Sequence, residues 1–415
     1  MSAVSPGLDS LKNGPSAATR QRLRLLTWEG AFANIFITYT GGVYITGLAL
    51  FLGAGDFEIG LLAALPFVAQ LAQLGSAWVA ERFHSRRTAV ISLSAISRQA
   101  WWLLLPLLFI ESHWRLPVLL ILVAFSSVGV MAATPVWLAW MADIVPGRVR
   151  GRFFGLRSAV LAAVATIAVL AGGVILDLAR SWQQERIGYF LLIAIACAAA
   201  AAALFVLRRV SDPAAKVREP GTGLSALLEP LRDHRFRRLL LVFFCWNAAI
   251  GISAPFFAPQ MLTNLKMSFT MIAIYSTIAS AAAVMLNKPW GRLIDRVGSR
   301  SVAAFCAFGI GLVPLIWLFP RPDFLWILGL EAAYSGALWT GFNLAAFNIP
   351  IANSPERNRS QYLAMFNVAT GLAFFLTSIL GGVLAESWHD FSLDIGPQHL
   401  VNYHLLFTIS AVLRL

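Results

Sequence analysis

The chain has 415 residues, of which 58% are hydrophobic and only 13% are charged, and its mean hydropathy is +0.72. Soluble domains carry about 25% charged residues, so the composition excludes an ordinary soluble protein and indicates a surface covered mostly by lipid. The net charge of +12 comes from basic residues between apolar runs, which predicts membrane topology rather than nucleic-acid binding. The chain has three cysteines, Cys197, Cys245 and Cys306, and all lie in apolar runs. This pattern argues against a disulfide framework or a metal site.

The chain opens with a polar stretch, 1–26, whose Ser, Pro and Gly content predicts a disordered tail. The apolar run after it is too long for the core of a signal peptide, so we expect a retained first span. A hydrocarbon core of about 30 Å takes about 20 helical residues. On that scale the sequence predicts twelve spans, numbered one to twelve: 27–52, 58–80, 88–110, 116–142, 153–177, 187–207, 239–263, 268–289, 301–320, 324–350, 361–385 and 398–415.

The distribution of basic residues predicts the orientation of these spans. With the first residues in the cytoplasm, 24 of the 32 Lys and Arg residues fall in cytoplasmic segments and five fall in outer loops. Cationic loops are retained in the cytoplasm more readily than they are translocated. Removing one span would invert every later loop and abolish this bias. We therefore predict a multi-pass protein of the plasma membrane, such as a bacterial inner membrane, with both termini cytoplasmic.

Repeated residues divide the chain into two halves. The longest internal polar stretch, 208–238, holds eight basic residues and predicts a cytoplasmic linker between a first bundle, 27–207, and a second, 239–415. At an offset of 209, residues after span four recur after span ten, and a Gly-Gly run in span five recurs in span eleven. The matches are Pro146, Arg148, Arg150 and Phe153 with Pro355, Arg357, Arg359 and Tyr362, and Gly172, Gly173, Val174 and Asp177 with Gly381, Gly382, Val383 and Glu386. A duplicated six-helix unit is typical of transporters whose pathway lies between the repeats.

A second repeat, at an offset of 214, carries a resemblance to a known family. An acid–Arg pair, with another Arg four residues later, follows both span two and span eight. These residues are Glu81, Arg82 and Arg86 in the first copy, and Asp295, Arg296 and Arg300 in the second. The loop resembles the signature of the major facilitator superfamily, roughly G-x-L-A-D-R-x-G-R-R. The second copy also has Gly291 and Gly298, whereas the first departs at Ala77, Glu81, His84 and Ser85. The resemblance covers the chain after residue 26 and implies an all-α membrane fold of twelve transmembrane helices in two pseudo-symmetric six-helix bundles.

The resemblance implies that these loops form a cytoplasmic gate. In the family such a cluster latches the cytoplasmic side while the cavity faces outward, and its release permits alternating access. The arginines can pair with an acid at the inner end of span four, for which Asp143 is the candidate. The second half has Ala352 at the matching position, so its latch would lack that acid. The alternative is that these residues only set topology and solvate the loops.

Charge is costly within a span and functional roles are common there, and three ionisable residues within or beside the predicted spans are candidates for the site. Arg98 lies near the middle of span three, either as a substrate or charge-relay residue or in an ion pair that packs helices. The family resemblance implies that spans one, four, seven and ten line the central cavity, which makes Glu331 in span ten the better site candidate. Low dielectric favours a neutral carboxyl group, so Glu331 can carry a proton or meet a cationic solute, or it is a structural residue. Glu29, at the inner mouth of span one, faces the vestibule or pairs with a loop arginine.

Neutral candidates for the cavity combine aromatic, amide and hydroxyl groups. They are Asn34, Thr38 and Tyr44 in span one, Trp137 and Trp140 in span four, Trp246, Asn247 and Gln260 in span seven, and Tyr334, Trp339 and Asn343 in span ten. Such a lining suits sugars or amphipathic organic molecules. Because Trp and Tyr also enrich at membrane interfaces, about half of these residues are expected to be structural.

The sequence therefore predicts a monomeric secondary transporter of a small organic solute, coupled to protons and without a cofactor. One alternative is a membrane sensor or receptor with a transport fold, although the short loops leave no room for an extra soluble domain. An intramembrane enzyme would need a catalytic motif such as H-E-x-x-H or Gly-x-Ser-x-Gly, and the sequence has neither. A multidrug or metabolite exporter is the remaining alternative. The family's drug–proton antiporters carry Gly-Pro in span five, and this span has no proline.

Overall fold

The predicted spans form long helices in the computed structural model, which describes residues 17–73, 85–211 and 229–415. Within these ranges, nine helices are long and apolar enough to cross a membrane. The first half contains Ala17–Tyr39 and Gly42–Phe51 (span one), Asp56–Val68 with the 3₁₀ turn Ala69–Gln73 (span two), Arg86–Gln99 with the turns Ala100–Leu103 and Leu104–Leu107 (span three), Arg115–Ile144 (span four), Gly147–Ser181 (span five) and Glu185–Arg208 (span six).

The second half repeats this order of helices. It contains His234–Ser253 followed by the short turns Ala254–Phe256, Phe257–Pro259 and Gln260–Asn264 (span seven), Phe269–Val297 (span eight), Ser299–Ile316 (span nine), Trp326–Ala352 (span ten), Glu356–Asn358 and Arg359–Ser387 (span eleven) and Asn402–Arg414 (span twelve). An antiparallel hairpin, Ser392–Ile395 with Gln398–Val401, lies between spans eleven and twelve. We call the end of the bundle that holds this hairpin the hairpin end, and the opposite end, which holds Arg86 and Asp233, the basic end.

Side chains at the helix starts satisfy the free backbone N–H groups of the first turn. The Ser85 side chain accepts from Thr88 N at the start of span three, and Ser268 does the same for Met271 N in span eight. The Asp233 carboxylate accepts from two backbone N–H groups at the start of span seven. These caps fix where spans three, seven and eight begin.

Spans one and seven, which correspond in the two halves, are both interrupted. Span one breaks after Tyr39, where Gly42 adopts a φ of +54° that favours glycine. Span seven loses regular α-helical geometry from Ala254, beside Pro255, and ends in a π turn at Gln260–Asn264. Broken helices in matching positions of two repeats are a mark of transporter binding regions.

The halves join along two pairs of helices, span two with span eleven and span five with span eight. The rings of Phe67 and Phe374 stack with centroids 3.8 Å apart. Ser378 donates a hydrogen bond of 2.8 Å to the carbonyl of Gly60. Each half therefore contributes two helices to the contact, in a pseudo-symmetric arrangement.

Several predicted boundaries are wrong. The first helix begins at Ala17, so residues 17–26 are helical rather than part of a disordered tail. Spans six and seven extend into the predicted linker 208–238, of which 212–228 lies outside the described residues. Span twelve begins at Asn402 rather than near 398, because the preceding residues pair in the hairpin. The end of span two, predicted at 80, also lies outside the described residues.

Candidate functional site

Three charged side chains from three helices meet in one cavity of the first half. Glu29 of span one is 4% exposed, with one carboxylate oxygen 3.7 Å from an Nη of Arg98 in span three and the other 3.6 Å from an Nη of Arg157 in span five. Each residue lies ten to twelve positions from the basic-end start of its helix, which is about 15 to 18 Å along the axis. The cavity beside them has a volume of about 230 Å³.

Neighbouring residues hold Arg157 in this position. A Cβ on Gly30 would lie 2.5 Å from an Nη of Arg157, so glycine is what lets the guanidinium approach span one. The guanidinium lies 5.1 Å from the ring centroid of Trp137, a cation–π distance. Its Nε donates a hydrogen bond of 3.3 Å to the carbonyl of Leu26. The site is therefore built by helix packing and not by a flexible loop.

Polar neutral side chains complete the wall of this cavity. Asn34 faces it and donates a hydrogen bond of 2.7 Å to the carbonyl of Leu161. Ser94 and Thr134 add hydroxyl groups from spans three and four. We call this set of residues, with Glu29, Arg98 and Arg157, the charged cavity.

A second cavity, of about 400 Å³, lies between the two halves. The interrupted part of span one lines it with Thr40 and Thr46, and the interrupted part of span seven faces them across the cavity with Pro255. Spans two, four and eight complete its lining. The two broken helices therefore meet at the boundary between the repeats.

The hairpin end is closed by two equivalent contacts between the halves. The carboxylate of Asp177, near the end of span five, accepts from the backbone N–H groups of Phe269 and Thr270, both at 2.8 Å. The carboxylate of Glu386, near the end of span eleven, accepts from the N–H groups of Asp56 and Phe57 at 3.1 and 3.4 Å. A carboxylate at a helix N-terminus is stabilised by the free N–H groups and the helix dipole.

A glycine four residues before each acid lets the partner helix approach. A Cβ on Gly173 would lie 2.9 Å from the carbonyl oxygen of Phe269, and a Cβ on Gly382 would lie 3.1 Å from that of Asp56. The second contact is reinforced because Asp56 also accepts from Asn402 Nδ2 at 2.8 Å and from the Tyr403 hydroxyl at 2.5 Å. We call these two contacts, with their glycines and acids, the hairpin-end closure.

At the basic end, the predicted gate residues make contacts within a half. Arg86 and Asp143 form an ion pair of 2.5 Å between spans three and four. In the second half, Arg300 donates to the side-chain oxygen of Asn353 at 3.2 Å, so an amide stands where the first half has the acid. The side chains of Asp295 and Arg296 are exposed. Glu81 and Arg82 lie outside the described residues, and the gating role of the whole set stays a prediction.

Glu331 lies apart from both cavities. Its carboxyl group is buried among spans eight, nine and ten, where the hydroxyl of Tyr275 donates to one oxygen at 2.7 Å. The side chains of Ser335 and Trp317 also lie against this carboxyl group. Tyr334, three residues on, instead donates to the carbonyl of Gly309.

The other predicted residues are spread over several surroundings. Tyr44 is buried and donates to the carbonyl of Val169, beside the hairpin-end closure. Trp246 and Trp339 pack against the ring of Phe342, Asn247 donates to the carbonyl of its own helix, and Asn343 is exposed. Trp246 also lines a groove of about 690 Å³ between spans seven, nine and ten.

Of the predicted candidates, the structure brings Glu29, Arg98, Asn34 and Trp137 together, and the sequence interpretation missed Arg157. It counted Arg157 with the basic loop after span four, although that residue falls inside the predicted span 153–177. An arginine one turn into a span was the signal that could have identified it. Asp177 was recognised only as part of the repeat.

These observations define a multi-pass membrane protein of two related helical bundles. A model of the major facilitator superfamily matches residues 28–259 and 247–415. The chain belongs to the major facilitator superfamily, which confirms the predicted fold class and makes it a membrane transport protein rather than an enzyme. No curated relative matches the sequence.

Solved structures share this fold at low sequence identity. A mutant of the nucleoside transporter NupG matches with a TM-score of 0.72 and 13% identity, over 96% of this chain and 97% of that one. A bacterial homologue of the human lysosomal transporter Spinster, inward-facing and unoccupied, matches with 0.68 and 18%, over 91% and 84%. The xylose transporter XylE from E. coli, in a partially occluded inward-open conformation, matches with 0.63 and 12%, over 96% and 97%. At these identities the likeness concerns the fold alone.

Proposed function

We propose that the protein is a secondary active transporter of a small organic solute, that it works by alternating access and that protons drive it. The basic end faces the cytoplasm in this proposal, as the excess of Lys and Arg there requires. The membrane is the plasma membrane, with a bacterial inner membrane as the setting. The protein acts as a monomer, because each chain contains both halves of the pathway.

The hairpin-end closure is the observation that carries this proposal. Equivalent residues, Asp177 and Glu386, close one end of the boundary between the halves. At the basic end, the pair of Arg86 with Asp143 and the hydrogen bond from Asn358 to Glu229 each join elements of a single half. The halves contact each other at the hairpin end, whereas the named contacts at the basic end stay within one half. This arrangement supports a state that is open toward the basic end. Rocking of the halves about the solute site then exposes the site to the other side.

Glu331 supplies a proton site away from the charged cavity. Its carboxyl group is 2% exposed, accepts one hydrogen bond from Tyr275 and has no ion-pair partner among the described residues. Protonation would remove a buried charge that lacks a counter-ion, and release of the proton would restore that charge. Because Glu331 links spans eight and ten, its charge state acts on the packing of the second half.

Uptake into proteoliposomes tests this proposal. The wild-type protein is compared with Glu331→Gln and with Glu111→Gln, which alters an exposed carboxylate at the hairpin end. The solutes are uridine, D-xylose and benzoate. The first two are suggested by the structurally similar transporters of nucleosides and of xylose, and benzoate is a small organic anion. We expect a pH gradient to drive uptake of at least one solute by the wild type and by Glu111→Gln, and Glu331→Gln to lose this drive.

Equal gradient-driven uptake by the wild type and Glu331→Gln would remove Glu331 from coupling. Wild-type uptake that does not respond to the gradient would contradict proton coupling. If the wild type takes up none of the solutes above the rate of empty liposomes, transport of these three solute classes is excluded.

A further inference from the structure

We propose that the charged cavity binds the anionic group of the solute, so that the protein carries a small organic carboxylate. This inference rests on the proposed transport function and names the class of solute. It follows from three features of the cavity: its charge balance, its free hydrogen-bond donors and its shape.

The charge balance of the cavity is positive. Arg98 and Arg157 both face Glu29, and their side chains are each only 14% exposed. Among the residues that the structure describes around this cavity, two cations with one anion leave one positive charge in excess at membrane depth. Buried charges without partners are strongly unfavourable, so one further anion would neutralise the site, whereas a cationic solute would raise the excess to two.

The two guanidinium groups also have donors to spare. Their distances to Glu29, 3.6 and 3.7 Å, exceed the roughly 2.7–2.9 Å of a charge-assisted hydrogen bond. The Nε of Arg98 is buried and has no hydrogen-bond partner among the described residues. Planar guanidinium groups match the geometry of a carboxylate, and the two groups flank Glu29 from spans three and five. Glu29 alone therefore leaves the donors of this site unsatisfied.

The rest of the cavity suits the organic part of such an anion. Trp137 and Ile37 supply apolar surface, and Asn34 and Thr134 supply neutral polar groups. The volume of about 230 Å³ accommodates a molecule the size of benzoate. A mostly apolar wall with a few oriented polar groups is the usual composition of a small-molecule site.

Three ligands of nearly equal shape test this inference on the purified full-length protein: benzoate, benzyl alcohol and benzylammonium. They differ in charge, which is −1, 0 and +1 at neutral pH. Binding is measured from the rise in melting temperature as each ligand is titrated, and from saturable competition with radiolabelled benzoate. We expect benzoate to bind most tightly and benzylammonium most weakly.

Variants of the charged residues give predictions of opposite sign. Arg98→Gln and Arg157→Gln should each weaken benzoate binding about 10- to 100-fold, the loss expected for a charge-assisted hydrogen bond. Glu29→Gln should tighten it several-fold, because it removes the anion that competes for the same guanidinium groups. Arg186→Gln, which alters a partly exposed arginine paired with Glu111 at the hairpin end, should leave binding unchanged.

Preference for benzylammonium, no saturable binding of benzoate to the wild type, or weaker binding by Glu29→Gln would overturn the inference. An arginine variant that fails to fold is recognised by its melting curve. Glu29→Gln then still tests the inference, because tighter benzoate binding supports it and weaker binding contradicts it. Transport is measured in a separate experiment, as the uptake of uridine and D-xylose into the proteoliposomes. A carrier of neutral solutes without an anion site is thereby distinguished from a protein that does not transport.

Discussion

Replacing Gly173 by alanine should open the hairpin end of the protein. The new Cβ would lie 2.9 Å from the carbonyl oxygen of Phe269 and 3.0 Å from Cα of Thr270. Both are backbone atoms at the start of span eight, so no side-chain rotation relieves the clash. Overpacking of this kind costs about 1 to 3 kcal/mol. Opening the hairpin end removes the contact, so the ratio of open to closed molecules should rise about 5- to 150-fold.

Labelling of a cysteine at position 272 measures this change. Ile272 is 2% exposed and lines the cavity between the halves, one turn into span eight. In the closed state, an Ile272→Cys side chain is shielded from a membrane-impermeant maleimide added at the hairpin end. The background carries Cys245→Ser, because Cys245 is exposed, whereas Cys197 and Cys306 are buried. The initial labelling rate then follows the open fraction.

Gly155→Ala is the matched control for Gly173→Ala. Gly155 lies in the same helix, and a Cβ there would have no heavy atom within 4 Å. Gly382→Ala should change the labelling rate less than Gly173→Ala does, since its Cβ would meet backbone atoms of Asp56 and Phe57 at 3.1 Å, a contact that a shift of a few tenths of an ångström relieves. If Gly173→Ala labels no faster than Gly155→Ala, the close contact at Gly173 does not control opening of the hairpin end.

Three further predictions concern other parts of the chain. Gly30→Ala should weaken benzoate binding as strongly as Arg157→Gln, because its Cβ would displace the Arg157 guanidinium without changing any charge. Competition with radiolabelled benzoate measures this, and unchanged binding would contradict it. Arg86→Ala should lower the melting temperature by no more than about 2 °C. The pair with Asp143 is partly exposed, and such pairs contribute at most about 1 kcal/mol. A larger fall in melting temperature, measured by calorimetry, would show that the ion pair is a stronger latch. A cysteine replacing Ser225, outside the described residues, should be labelled only from the cytoplasm, and labelling from outside would overturn the orientation.

The order of the helices in the described part of the chain could be predicted because lipid imposes a length of about 20 apolar residues on every span. Breaks within spans were harder to predict. Span one continues as apolar sequence through Thr40 and Gly41, so hydropathy gave no sign that the helix ends at Tyr39. The break depends on the positive φ of Gly42. A glycine within a helix does not adopt this conformation, so the presence of a glycine alone did not predict the break. The hairpin before span twelve was missed because each strand has only four residues and the second strand runs directly into the last helix.

The site was predicted only in part, because it depends on which faces of the helices meet. Arg98 was identified from its depth in the membrane. Glu29 was expected at the inner mouth of span one, but it lies twelve residues into the first helix, and its second partner, Arg157, was interpreted as a loop residue. Glu331 met the same depth criterion, but its face of span ten packs against Tyr275 instead of lining either cavity. Asp177 and Glu386 were visible as a repeat, and only the packing of the two halves shows what each contacts.

Distances between spin labels at the two ends of the bundle measure whether the halves move as alternating access requires. One label pair, Glu111→Cys with Asp323→Cys, spans the halves at the hairpin end, where both side chains are exposed. A second pair, Arg152→Cys with Glu356→Cys, spans them at the basic end. Both pairs are placed in the Cys245→Ser background and measured with and without the double substitution Asp177→Ala and Glu386→Ala. The double substitution should lengthen the hairpin-end distance and shorten the basic-end distance in the same population. Unchanged distances, or lengthening at both ends, would contradict this prediction.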